Sequence, residues 1–247
     1  MLKRLYDKSK IWFAVAWIAA YCILMSVGDS LSAILAVEKS VTLGIGLLLS
    51  GMLLLFLKKN AVFTTYGLCR TKSPAKELLF YIPLFLMLTA NLWYGLTLNY
   101  GILETVLYIL TMFCVGFLEE VIFRGLLFEA MRKDGLKAAI IVSSVTFGMG
   151  HIINLVNGSG AELVSNLIQI VYATAAGFMF VMIYYKTRSL LGCIAAHGTF
   201  NALSVFANEG NATQEMRVMT AVFLTAVTGG YAVYIALTMK KCATKKI

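Results

Sequence analysis

Phe117-Leu118-Glu119-Glu120-Val121-Ile122-Phe123-Arg124-Gly125 decides how the chain is read. Two adjacent carboxylates and an arginine stand inside an apolar run, 104–131, long enough to be a membrane helix. Charged groups inside such a helix cost several kcal/mol, so they mark functional candidates. The rest of the chain has the same character. Of its 247 residues, 60% are apolar and 13% charged, and mean hydropathy is +0.83. A soluble domain is about 45–50% apolar and about 25% charged. There are two prolines and no Ser/Gly/Pro-rich linker. These figures exclude a disordered chain, a disulfide-rich secreted module and an ordinary soluble enzyme. They leave an all-α, polytopic membrane protein, a single integral membrane domain over 1–247 with no internal repeat.

Apolar windows recur at 11–28, 41–57, 78–98, 104–131, 138–156, 163–185, 189–207 and 218–239. Most approach the ~20 residues that cross a bilayer. The basic stretch Met1–Lys10 before the first window resembles a signal peptide's n-region, but the run is long and no small-residue cleavage site follows. We read it as a retained membrane helix. With eight spans, the lysine and arginine clusters near residues 3–10, 58–76, 132–137, 186–188 and 240–246 fall on one side. The opposite loops hold only Lys39 and Arg217, and Arg124 alone lies within a span. The positive-inside rule places both termini in the cytoplasm. The net charge of +9 is therefore topological, and nucleic acid is not an expected partner. The five cysteines are scattered and form no CxxC, so neither a disulfide framework nor a cysteine-built zinc site is expected. Cys242 is misplaced for a prenylation box.

Glu120 and Arg124 are spaced i, i+4 and can pair on one helix face. Glu119 is rotated about 100° from Glu120 and finds no cation at i+3 or i+4, so it is expected to stay free to handle protons. The only two histidines also lie in spans. His151 closes Phe147-Gly148-Met149-Gly150-His151, and His197 opens His197-Gly198-Thr199-Phe200-Asn201, sharing a face with Asn201. Counting from the cytoplasmic turns at Asp134 and Lys186–Arg188 brings Glu119, His151, His197 and Asn201 to similar depth. All four are expected in one pocket, in or just inside the cytoplasmic half of the bilayer. A carboxylate beside water is a general base, and imidazole and amide groups can donate to an oxyanion. The set suits amide hydrolysis by activated water, or alternatively a zinc ion held by Glu119, His151, His197 and Asn201.

Glu-Glu-x3-Arg, Phe-x3-His and His-x3-Asn, in this order on successive spans, resemble the CPBP (Abi, CAAX-protease and bacteriocin-processing) intramembrane proteases. The type II CAAX prenyl endopeptidase is their best-known member. The motif residues are Glu119, Glu120, Arg124, Phe147, His151, His197 and Asn201, with 104–207 carrying the catalytic part. The resemblance implies about eight membrane helices around a cytosol-facing cavity. It implies that Glu119 activates water, that His151, His197 and Asn201 hold the water or oxyanion, and that Glu120 and Arg124 support them. Our reading favours a metal-free mechanism with no cofactor. The expected substrate is a membrane-anchored or lipidated peptide, and the expected place is a bacterial or archaeal cell membrane. Two other functions fit the same residues. One is an ion-coupled carrier with Glu119 as its proton site, which the lack of a repeat and of broken spans in matching halves disfavours. The other is a non-catalytic bacteriocin-immunity or binding protein.

Lesser features have plainer readings. Cys193, i−4 to His197, suggests a Cys/His dyad, but thiols in apolar spans are usually inert. Ser159 in Asn157-Gly158-Ser159-Gly160 is similar to a rhomboid serine motif but falls in an outward loop. Trp93, Tyr94 and Tyr100 read as an interfacial belt, and Met149 as packing.

Overall fold

The computed structural model describes residues 2–74, 82–155, 162–238 and 240. The Ser159 motif, Lys76, Cys242, Lys241, Lys245, Lys246 and the start of the third expected span lie outside the described residues.

The described chain is helical apart from loops and one isolated bridge, Leu96 to Ala207. Lipid cannot satisfy backbone N–H and C=O groups, so an apolar chain of this kind must satisfy them within helices. A short α1 (Leu2–Lys8) leads into α2 (Lys10–Ile34), whose first turn is capped by Ser9 accepting from the Trp12 amide at 3.3 Å. There follow α3 (Ser40–Lys59), α4 (Ile82–Leu92), α5 (Ile102–Arg132), α6 (Leu136–Leu155), α7 (Leu163–Thr187), α8 (Leu191–Phe206) and α9 (Gln214–Thr238). Six of these, α2, α3, α5, α6, α7 and α9, are long and apolar enough to cross a membrane. At the third and seventh expected spans, α4 is described over Ile82–Leu92 and α8 over Leu191–Phe206. Each ends in a 3-10 turn, Ala90–Leu92 and Ser204–Phe206, where the chain turns out into a loop. The polytopic bundle stands, with six long spans and two shorter apolar helices among the described residues.

The two ends of the bundle differ. At the end holding the N-terminus, Glu129 accepts from Arg132 Nε at 2.9 Å and pairs with Arg188, while Lys186 Nζ donates to the Ala236 carbonyl at 3.3 Å. The loop after α3 folds onto this end. The Leu190 amide donates to the Gly67 carbonyl at 2.8 Å, and Tyr66 donates to Tyr6 at 2.9 Å between hydroxyls. Burial and that hydrogen bond push the Tyr66 hydroxyl pKa up. At the other end, Lys39 Nζ donates to Asp29 at 2.8 Å and the Glu38 amide to Glu104 at 3.1 Å. Burial works against the charge on Lys39, but Asp29 more than offsets it and the Lys39 pKa rises.

Small residues set the closest helix approach. A Cβ on Gly116 of α5 would lie 2.6 Å from the Gly198 nitrogen of α8, and one on Gly198 would lie 2.7 Å from Phe113 Cδ1. In lipid, helices associate by such close packing, because no hydrophobic drive separates lipid tails from leucine. This contact brings the histidine just before Gly198 against the end of α5 that carries the glutamates. Met149 differs from expectation. It is 45% exposed on the bundle surface, and it is Gly148 beside it that packs against Thr174 and the Ile170 carbonyl.

Gly116→Val should therefore push α5 and α8 apart. Overpacking typically costs about 1–3 kcal/mol. Thermal unfolding in detergent should show a lowered midpoint, whereas Gly44→Val, with nothing within 4 Å of its Cβ position, should unfold like the parent.

Candidate active site

The site is assembled where α5 changes its winding. Ile102–Glu119 is α-helical, and Glu120–Phe128 winds as a π-helix, every residue of which is buried. Wider π turns are rare and recur at functional sites. The Phe123 carbonyl in this segment also accepts from Ser143 Oγ of α6 at 2.9 Å. Arg124 is fully buried, with Nη1 3.1 Å from Glu120 Oε1. Its guanidinium lies 4.0 Å from the centroid of Phe147 and 5.5 Å from that of Phe180. The expected Glu120–Arg124 pair is present, and two aromatic faces share the cation.

His197 joins the two glutamates. Its Nδ1 is 2.9 Å from Glu120 Oε1, and its Nε2 is 3.3 Å from Glu119 Oε2. Phe180 stacks on the ring at 5.6 Å, and Phe147 meets it edge-on at 5.5 Å. Glu119 is thus not free. Tyr21 of α2 donates a hydrogen bond to its Oε1 at 2.7 Å, so each oxygen has a neighbour from another helix. Sequence spacing examined only the partners on α5, and found none for this reason. Tyr21 and Phe180 were missed altogether, since one tyrosine or phenylalanine in an apolar span carries no signal of its own.

His151 sits where α6 tightens into 3-10 winding, and its carbonyl accepts from Asn166 Nδ2 at 2.8 Å. Its ring meets Phe147 edge-on at 5.6 Å. Two cavities border the cluster. One, about 110 Å³, is lined by Tyr21, Glu119, Phe147 and His151 and runs toward Asp29 and Lys39. The other, about 50 Å³, is lined by Phe147, His151, His197 and Asn201. The four expected residues therefore do not line one pocket. His151 and Phe147 belong to both, Glu119 to the first, and His197 and Asn201 to the second. The reason is bulk, since the Phe147 and His151 side chains of α6 stand between the lobes. Either cavity exceeds the roughly 10–15 Å³ that a water centre requires.

Other candidates fall away. Cys193 Sγ contacts the Phe180 carbonyl at 3.7 Å, and both His197 nitrogens face carboxylates instead of the thiol. Tyr94 donates to the Met216 carbonyl at 2.9 Å, and Trp93 Nε1 to Thr89 at 3.1 Å, at the loop end of α4. Among the described residues no three His, Cys, Asp or Glu side chains group closely enough to hold a metal ion.

A polytopic helical membrane protein with a buried Glu-Glu-Arg and two-histidine cluster is the class that fold and site define. Residues 101–203, which hold all three motifs, match the family model of Rce1-like type II CAAX prenyl endopeptidases. The match covers less than half of the chain and is consistent with the CPBP resemblance. No curated protein and no solved structure matches the chain.

The two glutamates should respond differently to neutralisation. Glu120→Gln leaves Arg124 buried without its counter-charge, which usually costs about 3–5 kcal/mol. Glu119→Gln keeps a hydrogen-bonding group between Tyr21 and His197, so its folded yield and thermal midpoint should stay close to the parent's. Thermal unfolding of the two variants in detergent checks this. A stable Glu120→Gln beside an unfolded Glu119→Gln would reverse the assignment.

Proposed function

We propose that the chain is an intramembrane endopeptidase that hydrolyses a peptide bond of a membrane-associated or lipidated substrate, with water activated by Glu119. The observation that carries the reading is a continuous polar chain, Tyr21–Glu119–His197–Glu120–Arg124, whose outermost carboxylate lines a water-sized cavity. The match of the 101–203 segment to this protease family supports the reaction class.

In this reading Glu119 takes a proton from a water in the cavity. The water oxygen attacks the scissile carbonyl carbon, and the carbonyl oxygen becomes an oxyanion. His151 and Asn201 are the donors available to that oxyanion, while His197, whose two ring nitrogens face Glu119 and Glu120, holds the carboxylates in place. The proton held by Glu119 then passes to the leaving amine as the carbon–nitrogen bond breaks, which restores the carboxylate. Tyr21 fixes one carboxylate oxygen, so the other is presented in a fixed direction. Glu120 and Arg124 orient His197 through its Nδ1.

No metal or cofactor is part of the proposal. Both ring nitrogens of His197 already face carboxylates, which supports hydrogen-bond chemistry at this ring. A prepared chelator-treated sample should retain cleavage activity. Stoichiometric zinc lost together with activity on chelation would sink the metal-free mechanism.

The test is cleavage of a membrane-anchored peptide reporter by purified protein. Glu119→Gln should lower turnover by about 10²–10⁴-fold, the usual loss for a general base. Ligand flux into vesicles without any cleavage would identify a carrier instead. Binding without turnover by the unaltered chain would identify an immunity or scaffold role.

A further inference from the structure

His151 stands where α6 loses its regular winding. The α-helical part ends at Gly150, and His151–Leu155 winds as a 3-10 turn. Just before this, α6 is seated on α7 at Gly148, whose Cβ position falls on Thr174 and lies 2.9 Å from the Ile170 carbonyl. Gly150 has nothing within 4 Å of its Cβ position. The tight seat therefore ends before the histidine is reached, and glycine adds backbone freedom at the break. The last carbonyls of a helix also have no partner inside it. The turn that carries His151 has to be held from outside α6.

Two side chains of α7 hold it. Asn166 Nδ2 donates to the His151 carbonyl at 2.8 Å, and Gln169 Oε1 accepts from Asn154 Nδ2 at 3.1 Å. Asn166 and Gln169 are spaced i, i+3 and share a face of α7. A hydrogen bond to the His151 carbonyl fixes the plane of that peptide, and with it the direction of the Cα–Cβ bond. The imidazole then keeps only its two side-chain torsions, and Phe147 meets the ring edge-on at 5.6 Å. This side chain borders both the 110 Å³ and the 50 Å³ cavity.

Stability does not account for an asparagine at 166. The residue is 1% exposed, and its Oδ1 is buried and meets no donor among the described residues. Leucine, of similar shape, would remove that unsatisfied oxygen and would release the His151 carbonyl, two changes of opposite sign and similar size. The amide therefore adds little to folding on balance. Positions that break a packing rule without a gain in stability are where function is expected.

We propose that Asn166 is a positioning residue for catalysis, holding the His151 imidazole between the two cavities, where it donates to the oxyanion. The inference rests on the peptidase reading for the role of His151, and it adds a residue that none of the three motifs contains. A reacting group misplaced by about 1 Å can cost about 10²-fold in rate.

Asn166→Leu tests this with two readouts, cleavage of the membrane-anchored reporter and NMR of isotope-labelled histidine. The chain has only two histidines, so a His151→Ala chain identifies the signals of His197. Asn166→Leu should keep the parent's thermal midpoint and KM and lower kcat by about 10²-fold. It should shift the imidazole signals of His151 and leave those of His197 in place. In the His151→Ala chain the same substitution should lower kcat no further, because a residue that acts through His151 then has nothing to position. Unshifted His151 signals in a folded Asn166→Leu chain would overturn the proposal. So would an unchanged kcat, a loss confined to KM, or an equal fractional loss of kcat with and without His151. Should Asn166→Leu not fold, Asn166→Ala removes the same donor with less bulk and faces the same criteria. Failure of both to fold would make the residue structural and end the proposal. A parent chain that cleaves no reporter overturns the peptidase reading and with it the catalytic half of the proposal, whereas a shift of His151 alone still supports the orienting contact.

Discussion

Arg124 is the constraint on which the centre of this molecule depends. A guanidinium with no exposed surface, in a bundle built for lipid, must be neutralised where it stands. Glu120 supplies the charge, and Phe147 and Phe180 supply π-faces from two other helices. Those same two rings hold His197, and His197 in turn reaches Glu119. One buried cation thus determines where α5, α6, α7 and α8 meet. The polar centre is connected by charge pairing, while Arg124 Nε and Nη2 and Glu120 Oε2 are buried without a hydrogen-bond partner, so the pairing is held by Coulomb attraction and the aromatic faces.

Every residue of the π-helical half of α5 is buried, and Phe123 from it joins Val115 and Glu119 of the α-helical half in lining the 110 Å³ cavity. Gly116 and Gly198 allow the backbones of α5 and α8 to approach so closely that a short helix suffices to deliver its histidine. Tyr21, from a helix outside the matched family segment, completes the coordination of Glu119. The three sequence motifs therefore lie within 101–203, but the Glu119 carboxylate is oriented partly by α2.

Much of this was legible before any coordinates. Composition and apolar windows identified a polytopic helical membrane protein, because a charge-poor chain of this hydropathy has no other stable surroundings. The i, i+4 spacing of Glu120 and Arg124 identified their pair, since neighbours on one helix face are a property of local geometry. The length of α8 was not legible. An apolar window records that a segment avoids water, and protein interior meets that condition as well as lipid does.

The sequence by itself determined the class, the helices and the set of polar residues that had to find partners, because burial of charge and helix periodicity are local. Tertiary structure alone decided who those partners are. Glu119 looked free because its neighbours, Tyr21 and His197, are 98 and 78 positions away and come from other helices. It also decided that Phe147 and His151 divide the site into two lobes. These depend on how helices pack across the bundle, and periodicity along one helix does not encode them.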